Sequence, residues 1–261
     1  MDTSELLKDA ATRAARYLAS LADRRVAPDA EAVAALARLR TPLPGTGTAP
    51  DAVLAELDEA ASPATMAMAG PRFFGFVIGG AQPVTLAANA LATAWDQNTA
   101  FHQVTPGTAT LEDVALAWLR ELLGLPEGVA AGFVSGATMA NATALAAARH
   151  RVLADAGWDV EAEGLFGAPP VQVVVGAEVH PSVRKALGLL GMGKARVQEV
   201  EVDGQGRMRA DRLPPLTPPA IVILQAGNVN TGAFDPFVEV VDRVGLAKKV
   251  ARLQPLCVIK G

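Results

Sequence analysis

The run VQVVV at residues 171–175 is almost wholly β-branched, and a few residues later comes PSVRKALGLLG, whose apolar residues recur at helical spacing. The alternation continues, with strand-like runs at residues 197–202 and 220–224 and a helix signal starting near Pro236. A strand that is apolar without interruption must be covered on both faces, and strands separated by helices are joined by crossovers that are right-handed in nearly all cases. The spacing therefore predicts an α/β fold, a mainly parallel sheet with helices on both faces. No repeat at a fixed period competes with that reading.

Upstream the pattern is helical. Leu6, Leu7, Ala10, Ala14, Tyr17, Leu18 and Leu21 share one helical face, and a second short helix is expected over residues 29–40. TPLPGTGTAP at residues 41–50 breaks regular structure, a helix follows over residues 51–61, and GPRFFGFVIGG then packs aromatic residues between glycines. From Pro83 on, long helices are expected. Thr110 and Asp113 are spaced as a capping pair, Gly124 is a helix stop, and GFVS at residues 132–135 reads as a short strand. These signals divide the chain into a helical N-terminal arm with linker, residues 1–80, and a large α/β domain, residues 81–261.

Composition narrows the function. Over 261 residues, 51% hydrophobic and 19% charged residues describe an ordinary globular chain, and a net charge of -4 argues against a nucleic-acid partner. No apolar run approaches the roughly 18–20 residues that span a bilayer. Asp2, Glu5, Asp9 and Asp23 exclude an acid-poor transit peptide. Cys257 is the only cysteine, so no internal disulfide can form and a cytoplasmic location is expected. One cysteine and three histidines offer no metal-ligand spacing.

In parallel α/β sheets ligands bind beyond the carboxyl ends of the strands, which directs attention to three loops. In FVSGATMANATALAAAR, the turn Ser135, Gly136, Ala137, Thr138 opens a helix. It reads either as a plain Ser or Thr cap or as a phosphate cradle built from hydroxyls and unpaired N–H groups. It is neither a Walker A loop nor a GxGxxG turn. In AEVHP, His180 precedes a helix that starts with Pro181, and it is either a satisfied surface residue or a ring that stacks on a flat cofactor. In QAGNVNTGAFDP, Asp235 and Pro236 read as a helix start, whereas Gln225, Asn228, Asn230 and Thr231 offer amide and hydroxyl groups to a ligand.

Taken together, GPRFFGF, TPGTATLEDVALAWLRELLGLP, FVSGATMANATALAAAR, HPSVRKALGLLG and QAGNVNTGAFDP resemble the pyridoxal-phosphate-dependent decarboxylases of the glutamate, aromatic amino acid and tyrosine group, in order and at similar spacing. The resemblance covers roughly residues 70–242. It implies a type I pyridoxal-phosphate-dependent fold, a cytoplasmic homodimer with sites at its interface, pyridoxal 5'-phosphate as cofactor and an amino acid as substrate. Matched by position, Ala137 and Thr138, next to Gly136, correspond to the phosphate-binding pair. His180 corresponds to the catalytic histidine that stacks on the pyridine ring, Asn228 to a cofactor contact, and Phe73 and Phe74 to the substrate end. Another type I lyase, sulfur-transferring or aldol-cleaving, and a non-catalytic subunit that pairs with a full-length homologue are the alternatives.

The family's mechanism also implies an aspartate on a His-Val-Asp strand and a Schiff-base lysine beside a histidine, both downstream. Neither matches here. After Asp242 the sequence reads RVGLAKKVARLQPLCVIKG, in which Lys248 and Lys249 suit a solvated helix face and Lys260 lacks the expected neighbours. The expectation is a truncated or frame-shifted chain, or a pseudoenzyme, with an open sheet edge that favours association.

Overall fold

The computed structural model describes residues 2–76, 78–99, 101–126 and 128–245. Cys257, Lys248, Lys249 and Lys260 lie outside the described residues. The chain divides into two compact units, residues 1–96 and 97–261.

The first unit is helical. Helix α1 (Thr3–Ser20) begins with a capping box in which the Asp2 carboxylate accepts from the Glu5 N–H at 2.8 Å and Glu5 reaches back to the Asp2 N–H. Helix α2 (Ala30–Ala35) is capped by Asp29 and runs on into a tighter turn at Leu36–Leu39. Helix α3 (Pro50–Ala61) is fastened to α1 by Asp58, which accepts from Arg13 at 3.1 Å and from Arg16 at 2.7 Å. Helix α4 (Pro83–Trp95) is largely apolar yet buries none of its residues.

The second unit opens with α5 (Pro106–Leu122). This helix starts ahead of the Thr110 and Asp113 pair expected to cap it: Pro106 presets its first position, and buried Thr105 at the N-cap spends its hydroxyl on the Asn98 and Phe101 carbonyls. It ends as the sequence signals. Gly124 has φ +61°, its N–H donates to the Glu121 carbonyl, and the Leu125 N–H donates to the Arg120 carbonyl, which is a Schellman motif. GFVS forms no strand; Phe133 and Val134 are exposed, and no described strand lies alongside to supply a ladder of hydrogen bonds.

Helix α6 (Ala137–Asp155) and the short α7 (Val160–Glu163) lead to β1 (Gln172–Gly176), followed by α8 (Pro181–Leu189), β2 (Gln198–Val200), β3 (Ala220–Ile223) and α9 (Phe237–Arg243). The strands form a parallel sheet in the order β2-β1-β3, with Val174 paired to Gln198 on one side and Val222 on the other. Side chains alternate across a strand, so β1 divides its valines. Val173 and Val175 pack with Leu145 of α6 and Val183 and Leu187 of α8, whereas Val174 packs with Val200, Met208 and Val240 of α9. Both faces are covered, which explains why the run carries no polar residue after Gln172.

Candidate functional site

Because β1 and β3 are parallel neighbours, the loops that leave their carboxyl ends emerge side by side. Between them lies a cavity of about 280 Å³ lined by Glu178, His180 and Pro181 from the first loop and by Gln225, Gly227, Asn228, Val229 and Asn230 from the second. Two sequence-derived candidates, His180 and Asn228, therefore share one cavity.

His180 caps α8. Its ring Nδ1 accepts from the Ser182 N–H at 3.2 Å and lies 2.7 Å from the Ser182 hydroxyl, while the His180 backbone N–H donates to Gln225 Oε1 at 3.2 Å. Asn141, one turn into α6, donates from Nδ2 to the Ser182 hydroxyl at 2.7 Å. Thr138 lies three residues before Asn141 and so on the same helix face. The turn at Ser135–Thr138 is not among the cavity's lining residues; the chain Asn141–Ser182–His180 is what joins α6 to it.

At the head of α6, Gly136 stands at the N-cap with no side-chain cap bond, so the Ser or Thr cap offered as one reading of this turn does not form. Its φ of 161° is extended backbone open to any residue, and a β-carbon there would meet nothing within 4 Å. The N–H groups of Ala137, Thr138 and Met139 have no acceptor among the described residues.

The second loop is held by side chains. Asn228 is 6% exposed; its Oδ1 accepts from the Asn230 and Thr231 N–H groups, and its Nδ2 donates to Glu178 at 2.8 Å. Asp235 does not cap α9. Its two carboxylate oxygens accept instead from the Met208 N–H and the Gln225 N–H, each at 2.7 Å, which pins the loop to the β2–β3 connection. In that connection Val202 and Met208 form an antiparallel bridge around a tight turn. There the Arg207 N–H, then the Gln205 N–H, hold the Asp203 carboxyl below its ordinary range. Gly206, with φ +76°, closes on the site: a β-carbon would overlap Asn228 Nδ2 and the Glu178 carboxylate. Glu178, Ser182, Asn141 and Gly206 are site-forming residues that sequence reasoning missed; only Ser182, one residue past Pro181 in HPSVRK, carried a local signal. Phe73 and Phe74 belong to the other unit.

A parallel sheet with a cavity beyond two adjacent strand ends defines an α/β protein, and that is the place where such sheets bind ligands. The pyridoxal-dependent decarboxylase conserved domain matches residues 37–244, and the chain belongs to that family. Human acidic amino acid decarboxylase GADL1 is 30% identical over 180 residues, covering 66% of this chain and 34% of the relative. L-2,4-diaminobutyrate decarboxylase of Rhizobium meliloti is 31% identical over 209 residues, covering 77% of this chain and 40% of that protein. Among solved structures, mouse CSAD in apo form superposes with a TM-score of 0.80 at 24% identity, over 93% of this chain and 53% of that one. Oryza sativa TDC with PLP and tryptamine gives 0.80 at 21%, over 94% and 52%. These likenesses establish the type I pyridoxal-phosphate-dependent fold expected from the sequence. The chain spans about a third of the length of the first curated relatives and about half that of the solved structures.

Proposed function

We propose that this chain carries the phosphate-binding and ring-binding part of a pyridoxal phosphate site and serves the decarboxylation of an amino acid. The observation that carries the reading is the meeting of His180 and Asn228 in one cavity beyond β1 and β3. When bound, pyridoxal phosphate supplies an electron sink that lets an amino acid's carboxylate depart as carbon dioxide.

The residues fit that group. Ala137 and Thr138 would hold the phosphate through N–H groups that lack acceptors among the described residues, at the positive end of a 19-residue helix, with the Thr138 hydroxyl as a further donor. The bare backbone at Gly136 leaves the space over that first turn open. His180, half-buried and fixed at Nδ1, offers a flat face to a pyridine ring. Asn228 shapes the opposite wall and keeps one Nδ2 hydrogen without an acceptor among the described residues. The matched relatives' names run from acidic amino acids to 2,4-diaminobutyrate, so the substrate reading stops at an amino acid.

A helix N-terminus contributes about 0.3–2 kcal/mol to a bound anion and each charge-assisted hydrogen bond roughly 1.5–3. Those gains must offset several kcal/mol of lost ligand freedom. None of Lys8, Lys185 and Lys194 lines the cavity. Absorbance titration of the full chain with pyridoxal phosphate should therefore give reversible binding with a dissociation constant of roughly 1 mM. Thr138→Val should weaken it about tenfold, and His180→Ala should also weaken it. Unchanged affinity in both variants overturns the site, and a cofactor that survives dialysis until acid or hydroxylamine is added overturns its reversible character. Carbon dioxide release across an amino acid panel reads the activity.

The same reading includes a cytoplasmic setting and pairing with a second copy or a homologue. Pairing is supported by α4, which buries no residue, and by Trp118 and Leu122 of α5, which stand largely exposed. No described helix is long and apolar enough to cross a membrane.

A further inference from the structure

We propose that Ser182 and Asn141 are positioning residues that lock the His180 ring in its Nε2–H tautomer. The direction of each hydrogen bond follows from what each group can do. A backbone N–H only donates, so the Ser182 N–H, 3.2 Å from Nδ1, requires a lone pair on that nitrogen. The Asn141 Nδ2 group also only donates, and it fills an acceptor site on the Ser182 hydroxyl at 2.7 Å. With no proton on Nδ1, the 2.7 Å contact is a donation from the Ser182 hydroxyl, and Asn141, itself a donor there, leaves the hydroxyl proton available for it. With Nδ1 an acceptor, the proton of the neutral ring sits on Nε2.

Burial makes the arrangement firm. Ser182 is 5% exposed and Asn141 is half-buried between α6 and α8, so water does not compete freely for these bonds. The chain also couples two parts of the candidate site. Asn141 shares a helix face with Thr138, so the helix that offers its first turn to a phosphate also sets which ring nitrogen of His180 carries a proton. The consequence for ligand binding rests on the cofactor-site reading; the tautomer does not.

The test reads the ring without any cofactor. In full chain labelled with ¹⁵N-histidine, with the His180 signals assigned by His180→Gln, the neutral ring should show a protonated Nε2 and a bare Nδ1. Asn141→Asp reverses the order of donors. A carboxylate accepts the Ser182 hydroxyl proton, the serine oxygen then presents a lone pair to Nδ1, and the ring should shift toward the Nδ1–H form. Adding Ser182→Ala to Asn141→Asp should cancel that shift, because the hydroxyl transmits it, whereas Ser182→Thr should keep the wild-type tautomer. An Nδ1–H ring in the wild type overturns the inference, and so does an Asn141→Asp shift that persists without the hydroxyl. Should the double variant not fold, the wild type and Asn141→Asp decide the matter, since an unmoved tautomer in the latter is also fatal. Pyridoxal phosphate titration of the same variants separates the two claims: a shifted tautomer with unchanged affinity preserves the lock and removes its link to the cofactor.

Discussion

Asp235 illustrates how a residue's role can be hidden by its neighbours in sequence. Before Pro236 it reads as a helix start, yet it is 7% exposed and binds the N–H groups of Met208 and Gln225. Replacing it with Asn turns one acceptor into a donor facing another donor, and a buried group left unsatisfied costs about 1–3 kcal/mol. Urea unfolding of Asp235→Asn should show a loss of that size, and an unchanged midpoint would remove the residue from its structural role. Met208 lies 27 residues earlier, so no local spacing could reveal the partner. His180 and Asn228 were legible because each follows a strand. Gly206 was not, since nothing in GQG indicates that its missing side chain makes room for the Asn228–Glu178 pair.

At the scale of elements, the parallel sheet and most helices were written in the sequence. The capping box of α1 and the glycine stop of α5 are local codes and needed no tertiary information. The strand expected at GFVS failed because a strand is a property of a pair, and no described neighbour lies beside it. The 203–207 turn supplies a pH test. Hydrogen bonds from the Arg207 and Gln205 N–H groups lower the Asp203 pKa in the folded chain. Their stabilisation is therefore complete above the ordinary carboxylate pKa and is lost as pH falls through the depressed folded value. Amide exchange at Gln205 and Arg207 should accelerate over that window, after correction for the intrinsic pH dependence. In Asp203→Asn, whose side-chain oxygen still accepts, the acceleration should disappear; its persistence would assign the opening to another group.

At the scale of the whole molecule, α4 in one unit and α5 in the other each leave apolar side chains exposed, among them Val84 and Leu91, and Trp118 and Leu122. Apolar area left in water forfeits about 25 cal/mol per Å², and an exposed apolar helix face suits association. Sedimentation velocity on the full chain should show self-association, reduced in Trp118→Gln with Leu122→Gln. A monomer across the accessible concentration range would contradict pairing of this chain with itself. The composition could not announce this, because an apolar helix has the same sequence pattern whether its covering surface lies in the same chain or in another.

The split of β1 between its faces has a thermodynamic corollary. Val173 and Val175 answer to α6 and α8, and Val174 to Met208 and α9, although the three are adjacent in the chain. Paired substitutions on one face should be coupled through shared neighbours, while pairs on opposite faces should add. Repacking of the helices behind Val173 and Val175 is thereby free to drift without disturbing the layer beneath the β2–β3 turn.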